Sequence, residues 1–296
     1  MKGMVKEMKV TKAVILAAGL GTRMLPATKS VPKELFPIVD KPALQYIVEE
    51  LVNSGIKDIM IVISRGKDLI EDHFDRSPEL ENRLIAGNKE KLLEDVINIA
   101  KMANIIYVRQ QEISGTGSAL QMAKTFTGND PFLVLYGDDV IINEEYPVSK
   151  QLMDAYEIYE KAIAGVQEVS EEAIQKYSTM KVEHIEKNHY HLTDMIEKPK
   201  KEEIISLFSI LGRIILPAEI YDILDRTPLG NNELQLTDAM KILANEKGMI
   251  AVDFEGKRYD IGSKLSVMQA QVEMSLKHPE IGEEFKAYLK EFTKTL

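Results

Sequence analysis

A mixed α/β architecture, with a mainly parallel sheet flanked by helices and a small antiparallel β subregion, is predicted by three observations. Apolar runs of strand length alternate with segments of helical period, the pattern of an α/β protein with a largely parallel sheet. A Gly- and Pro-punctuated loop directly follows the first apolar run, at the carboxyl end of a strand, where open α/β sheets bind ligands. From Tyr177 to about Leu216 strand-like segments follow one another, which predicts antiparallel pairing there.

Each element is legible in turn. The first strand is AVILAA, Ala13 to Ala18. A helix starts near Pro42, puts Leu44, Ile47, Val48 and Leu51 on one face and stops at Gly55, with proline at its entry and glycine past its end. IKDIMIVIS is the second strand, ending near Ser64. Residues 66–75 and 78–103 carry helical spacing, the latter as two helices broken at Gly87-Asn88, with Leu92, Val96 and Ile99 on one face. NIIYVRQ, up to Gln110, is the third strand, and PFLVLYGDDVII is the fourth, its apolar stretch running from Phe132 to Tyr136. A helix over 149–160 leads into a fifth strand, AIAGVQEV. KVEHIE and YHLTDMIE, joined at Lys187-Asn188, predict a hairpin. Helices over 217–226 and 234–247, a strand over 249–255 and helices over 263–276 and 280–293 complete a Rossmann-like fold. With no repeat and no long linker, residues 1–296 form one domain, in which 1–10 are expected to be flexible, 177–216 β-rich and 263–296 helical.

Composition excludes several chemistries. Lys and Arg number 37 against 47 Asp and Glu, a net charge of −10. A nucleic acid would be repelled and is not an expected partner. The chain has no cysteine, which rules out disulfides, a thiolate nucleophile, iron–sulfur clusters and Cys-based zinc sites. The apolar run at 13–18 is too short for a signal sequence, and no run approaches the ~20 residues of a membrane span. A cytoplasmic protein with no membrane partner is expected.

The strongest motif is AAGLGTRMLPATKSVPKELFP, after the first strand. It matches neither the Walker A loop nor the dinucleotide fingerprint, since Met24 stands where the latter needs its third glycine. Amides around Gly19 and Gly21 can approach an anion closely, and Arg23, Lys29 and Lys33 follow on a loop stiffened by Pro26, Pro32 and Pro37. Such a loop suits a polyphosphate. In YGDDV, Asp138 and Asp139 end the fourth strand. Adjacent strand residues face opposite ways, so one carboxylate is expected on Mg²⁺ and the other in a structural role. Asp260, before a glycine in GKRYDIG, is a further candidate ligand, because magnesium uses one or two carboxylates plus phosphate oxygens. QQEISGTGSAL puts Gln110, Gly115 and Gly117 between a strand and a helix, groups that can read a base edge. In IEKP, Glu197 offers an acceptor for sugar hydroxyls and Lys198 a cation for a phosphate. His184, His189 and His191 lack partners with metal-site spacing and read as surface polar residues.

Together VILAAGLGTRMLPATKSVPKEL, DKPALQYIVEE, IEDHFD, VRQ, YGDD, IEKP, ELQLTDA and KRYDIGSKLSVMQA resemble the bacterial UTP–glucose-1-phosphate uridylyltransferases, from about residue 11 to the C-terminus. The resemblance implies that the loop of Ala18, Gly19 and Gly21, with Arg23 and Lys33, binds the triphosphate of UTP. It further implies Gln110 and Gly115 on the base, Asp138 and Asp260 on Mg²⁺, Glu197 and the Ser178 position on the sugar, and Lys198 on the sugar phosphate. Homodimers or homotetramers are usual in the family. The sequence departs from the family pattern on the sugar side. Ser178 replaces a glycine after Tyr177, Leu207 an asparagine and Ile214 a tyrosine, while Gly115-Thr116-Gly117-Ser118-Ala119 stands for Gly-Leu-Gly-His-Ala. These departures leave open another sugar 1-phosphate, dTTP as donor, or a non-catalytic nucleotide-sugar-binding protein, and they predict a weakened glucose pocket.

Overall fold

The computed structural model describes residues 9–230 and 232–295. Residues 1–8 of the stretch expected to be flexible lie outside them, and Val10 is already buried. The chain begins with β1 (Lys12–Leu16), three short 3-10 turns, and the small ribbon β2 (Pro37–Ile38) and β3 (Lys41–Pro42). There follow α1 (Ala43–Asn53), β4 (Asp58–Ile63), α2 (Asp68–Phe74), α3 (Pro78–Ala86), α4 (Glu90–Lys101) and β5 (Asn104–Arg109). The middle holds α5 (Thr116–Gln121), α6 (Lys124–Thr127), β6 (Phe132–Tyr136), β7 (Asp139–Ile142), α7 (Val148–Tyr159) and β8 (Ala162–Glu168). Then come α8 (Glu171–Ile174), β9 (Ser178–Glu186), β10 (His189–Glu197) and β11 (Phe208–Leu216). The last elements are α9 (Ile220–Arg226), α10 (Leu236–Lys247), β12 (Met249–Asp253), β13 (Lys257–Asp260), α11 (Lys264–Lys277) and α12 (Gly282–Phe292).

Nine strands form one sheet in the order β5-β4-β1-β6-β11-β8-β12-β10-β9. Only β11 and β10 run against the others. From β1 the chain builds outward through β4 and β5, then returns to place β6 on the other side of β1. The order reverses there, and the crevice outside the carboxyl ends of β1 and β6 is where such sheets take ligands. Strand alternation divides the core between the two faces. Ala13 and Ile15 pack with Leu44, Ile47, Val48 and Leu51 of α1. Val14 and Leu16 face the layer of α9 and α10, which contributes Ile220, Leu224, Leu236 and Met240.

Two expectations are corrected. PFLVLYGDDVII is not one strand. The chain leaves the sheet at Gly137, whose N–H donates to Leu16 O at 3.0 Å. A Cβ at Gly137 would stand 3.1 Å from Ala17 Cβ and 3.2 Å from Glu34 Cγ. The second half becomes β7 and pairs with β13 in a separate ribbon. Residues 177–216 also divide: the β9–β10 hairpin forms one edge of the main sheet, whereas β11 lies in its middle between β6 and β8. As a central strand β11 is buried on both faces, and a continuous apolar run without alternation gives no sign of its neighbours.

Candidate functional site

A cavity of about 820 Å³ opens beyond β1 and β6. Ala18, Gly19, Arg23, Lys33, Gln110, Gly115, Asp138, Ser178, Glu197, Lys198 and Asp260 all line it. Of the residues the motifs offered, Lys29 and Gly117 do not line it, and neither does Gly21. Its φ is 66°, its carbonyl accepts from Thr28 Oγ1 at 2.9 Å, and its part is to turn the loop.

Cations of this loop meet the acids of two other segments. Lys33 is ion-paired with Asp138. The Arg23 guanidinium lies 3.1 Å from Asp260 Oδ2 and 3.9 Å from Asp138 Oδ2. Asp260 also accepts from Tyr177 Oη at 3.0 Å and from the Gly262 N–H at 2.8 Å. Burial alone would push the Asp138 carboxyl up, but the charge and hydrogen bond of Lys33, then Arg23, hold it below its ordinary value. Asp139 goes the other way. Burial, reinforced by the like charges of Asp138 and Asp260, raises it to about 6 against the opposing charge of Arg258, which approaches it at 2.5 Å. Both acids line the cavity, Asp138 turned toward the cationic loop and Asp139 toward Arg258.

The loop is held at both ends by one buried ammonium. Lys67, just before α2, donates to Ala17 O and pairs with Glu34 Oε1 at 2.7 Å. Ala17 precedes the glycines and Glu34 follows Lys33, so Lys67 fixes where the loop leaves and rejoins the fold. Burial lowers the Lys67 pKa, opposed by the Glu34 charge.

On the opposite wall, Gly115 takes a φ of 103°. A Cβ there would stand 2.3 Å from Leu234 O, so the glycine is required by the close approach of the segment before α10. The same segment is tied by Leu234 N–H to Ser114 O and Gly117 N–H to Leu234 O, both 2.8 Å. Glu197 ends β10 and accepts from Thr237 Oγ1 at 2.9 Å; burial pushes its pKa up. Lys198 is exposed, with φ 46° and its N–H on Tyr177 O at 2.6 Å. A left-handed conformation is costly for a lysine, and it places this residue at the cavity edge.

The departures from the family pattern divide. Ser178 is buried and lines the cavity, but its hydroxyl accepts from the Ile210 N–H at 3.3 Å, and its own N–H reaches Ser209 Oγ at 3.2 Å. Leu207 and Ile214 are not among the lining residues. Ile214 is fully buried within β11, between β6 and β8. Of the departures at Ser118, Ser178, Leu207 and Ile214, three therefore lie outside the cavity lining. Of the histidines, His184 and His191 are exposed and His189 bonds Tyr159 Oη at 3.1 Å. Among the described residues no cluster of three or more His, Cys, Asp or Glu is poised for a metal.

Mg²⁺ fits nonetheless. Asp138 and Asp260 are hard oxygen donors that share the Arg23 guanidinium, and two carboxylates suffice where phosphate oxygens complete the shell. Arg258, Glu34, Thr237 and Tyr177 are cavity residues that the sequence motifs did not single out. The guanidinium of Arg258 lies 4.5 Å over the Tyr177 ring, a contact between distant segments that no local pattern announces.

The sequence matches the family described as nucleotidyl transferase over residues 12–276. It is 46% identical over 287 residues to a UTP–glucose-1-phosphate uridylyltransferase of Bacillus subtilis, covering 97% of this chain and 96% of that one. It is 47% identical over 284 residues to one of Staphylococcus epidermidis, covering 96% and 98%. A crystal structure of UDP-glucose pyrophosphorylase complexed with UDP-glucose superposes with a TM-score of 0.83 at 39% identity, covering 91% of this chain and 100% of that one. A UTP-bound pyrophosphorylase from Acinetobacter baumannii gives 0.88 at 35%, covering 95% and 99%. Among the described residues no helix is long and apolar enough to cross a membrane.

Proposed function

The chain belongs to the nucleotidyl transferase family, and from that membership we propose that it is a UTP–glucose-1-phosphate uridylyltransferase. A phosphate oxygen of glucose 1-phosphate attacks the α-phosphorus of UTP, the bond to the bridging oxygen of the β-phosphate breaks, and UDP-glucose and pyrophosphate are formed. The observation that carries this reading is the 46–47% identity to proteins of that name along nearly the whole chain. The cavity supplies the matching chemistry.

A phosphate monoester with second pKa near ~6 is largely dianionic at neutral pH, so the nucleophile needs no general base. What the protein must do is bring two anions together and neutralise them. Arg23 and Lys33, with amides around Ala18 and Gly19, take the triphosphate and the departing pyrophosphate. Lys198 takes the sugar phosphate, Glu197 accepts from sugar hydroxyls, and Gln110 and Gly115 meet the base. Asp138 and Asp260 would hold Mg²⁺, whose charge would help neutralise the triphosphate. Lys33 keeps its proton and therefore its charge, because Asp138 and Glu34 outweigh the burial that would lower its pKa and raise it instead.

The test is a matrix of UTP and dTTP against glucose 1-phosphate and galactose 1-phosphate, read by pyrophosphate release with Mg²⁺ present. UTP with glucose 1-phosphate is expected to be the best pair. Preference for another pair would change the substrate, and no release with any pair would return the protein to a nucleotide-sugar-binding role. On the same resemblance we assign a cytoplasmic homodimer or homotetramer, which light scattering on the purified protein checks.

A further inference from the structure

Gln110 closes β5, with its backbone N–H on Ile63 O at 2.8 Å, and its side chain lines the cavity. Four polar groups next to it form a chain of hydrogen bonds, in which the two carbonyls can only accept. Ser114 Oγ donates to the Glu112 carbonyl at 3.3 Å. In the 2.8 Å contact between the Ser114 and Ser118 hydroxyls either one can donate. In either case Ser118 Oγ keeps a lone pair free to accept, and the group that reaches it at 3.3 Å is Gln110 Nε2. The same nitrogen reaches the Gly115 carbonyl at 3.4 Å, an atom that cannot donate. Both protons of the Gln110 amide are therefore directed into the protein, and the amide cannot flip without facing oxygen against oxygen. Among the described residues none donates to Gln110 Oε1, and the residue lines the cavity.

We infer that Ser118 is a specificity-determining positioning residue, which orients the Gln110 amide so that its acceptor is the atom offered to the base. An acceptor facing ring atom N3 favours a base that carries an N–H there. Uracil carries that proton at N3, whereas cytosine presents a lone pair, which would oppose Oε1. Thymine shares the uracil edge and is not discriminated by this device. Ser114 and Ser118 are four residues apart across the start of α5, the spacing that brings side chains together along a helix. This assignment rests on UTP being the nucleotide, as proposed above. It also gives a physical role to the position where the family pattern has histidine.

The experiment compares the parent with Ser118→Ala and Ser118→Thr, measuring kcat/KM for UTP, CTP and dTTP with glucose 1-phosphate. Alanine removes the acceptor without harming a helix, and threonine restores it. The UTP-to-CTP ratio is expected to fall about fivefold in Ser118→Ala, the worth of one neutral hydrogen bond, with the change in KM. It stays at the parent value in Ser118→Thr, and the UTP-to-dTTP ratio is the same in all three. A merely structural role would lower every nucleotide alike, and an unchanged UTP-to-CTP ratio in Ser118→Ala overturns the inference while leaving UTP as substrate. A parent that does not use UTP overturns the proposed function and this assignment with it.

Discussion

The Arg23 guanidinium sits 3.1 Å from the carboxylate of Asp260, its partner 237 residues along the chain. Space for that contact exists because residue 262 is glycine: a Cβ there would stand 2.2 Å from Arg23 Nη2. Gly262→Ala should therefore displace the end of a flexible side chain, which costs little stability, while moving a charge that the triphosphate needs. Turnover is expected to fall, approaching about 100-fold as for loss of one preorganised donor, with the thermal midpoint nearly unchanged. Parallel loss of folding and activity would show that Arg23 is not the group displaced.

Asp138→Asn preserves shape but removes the charge paired with Lys33. Turnover should drop by orders of magnitude and not recover at saturating Mg²⁺. Lys33→Ala should slow transfer by about 2.7–4 kcal/mol of barrier. Stopped-flow or steady-state pyrophosphate release measures both, and a normal rate in either would remove that residue from the reacting centre.

Restoring the family residues on the sugar side is expected to have unequal effects. Leu207→Asn should leave kcat/KM for glucose 1-phosphate as it is, because the side chain does not line the cavity. Ser178→Gly removes the hydroxyl that accepts from the Ile210 N–H and should cost about 1–3 kcal/mol of stability in denaturant unfolding. A clear gain in glucose 1-phosphate efficiency from Leu207→Asn would contradict its placement.

Arg213 is fully buried. It pairs with Glu50 at 2.5 Å and donates to Asp139 O at 2.7 Å, while Glu50 also accepts from the Ser149 N–H and hydroxyl. Arg213→Met would strand the Glu50 carboxylate in the core and is expected to destabilise by about 3–5 kcal/mol. Arg213→Met with Glu50→Leu should recover much of that loss, as read by denaturant midpoints. No recovery would mean that the pair does not act as a unit.

Burial holds the His73 imidazole below its ordinary value of 6.5, and its Nε2 meets Gln45 Oε1 at 3.0 Å. The unfolded chain then takes up a proton at higher pH than the folded one. His73 contributes fully above pH 6.5, and its contribution is lost as the pH falls below that value toward the lowered folded pKa. His73→Gln should flatten the decline in stability between neutral and mildly acidic pH. An unaltered slope would assign the decline to other groups.

Contiguous residues were enough to specify the local elements. The helical face of α1, the two helices broken at Gly87-Asn88 and the Lys187-Asn188 hairpin follow from local periodicity and turn chemistry. Ten of the expected site residues that line the cavity lie in short motifs that could be recognised one at a time, and Ser178 came only from the family resemblance. Other features emerged only from the folded chain. Lys67 clamping Ala17 and Glu34, Leu234 forcing glycine at 115, Tyr177 reaching Asp260, and β11 entering the centre of the sheet all join distant segments. Gly21 and Leu207 make the same point in reverse, as motif positions that packing directs away from the cavity. The physical reason is that periodicity tells a residue which face to bury, whereas the group it will touch is set only when the whole sheet has closed around it.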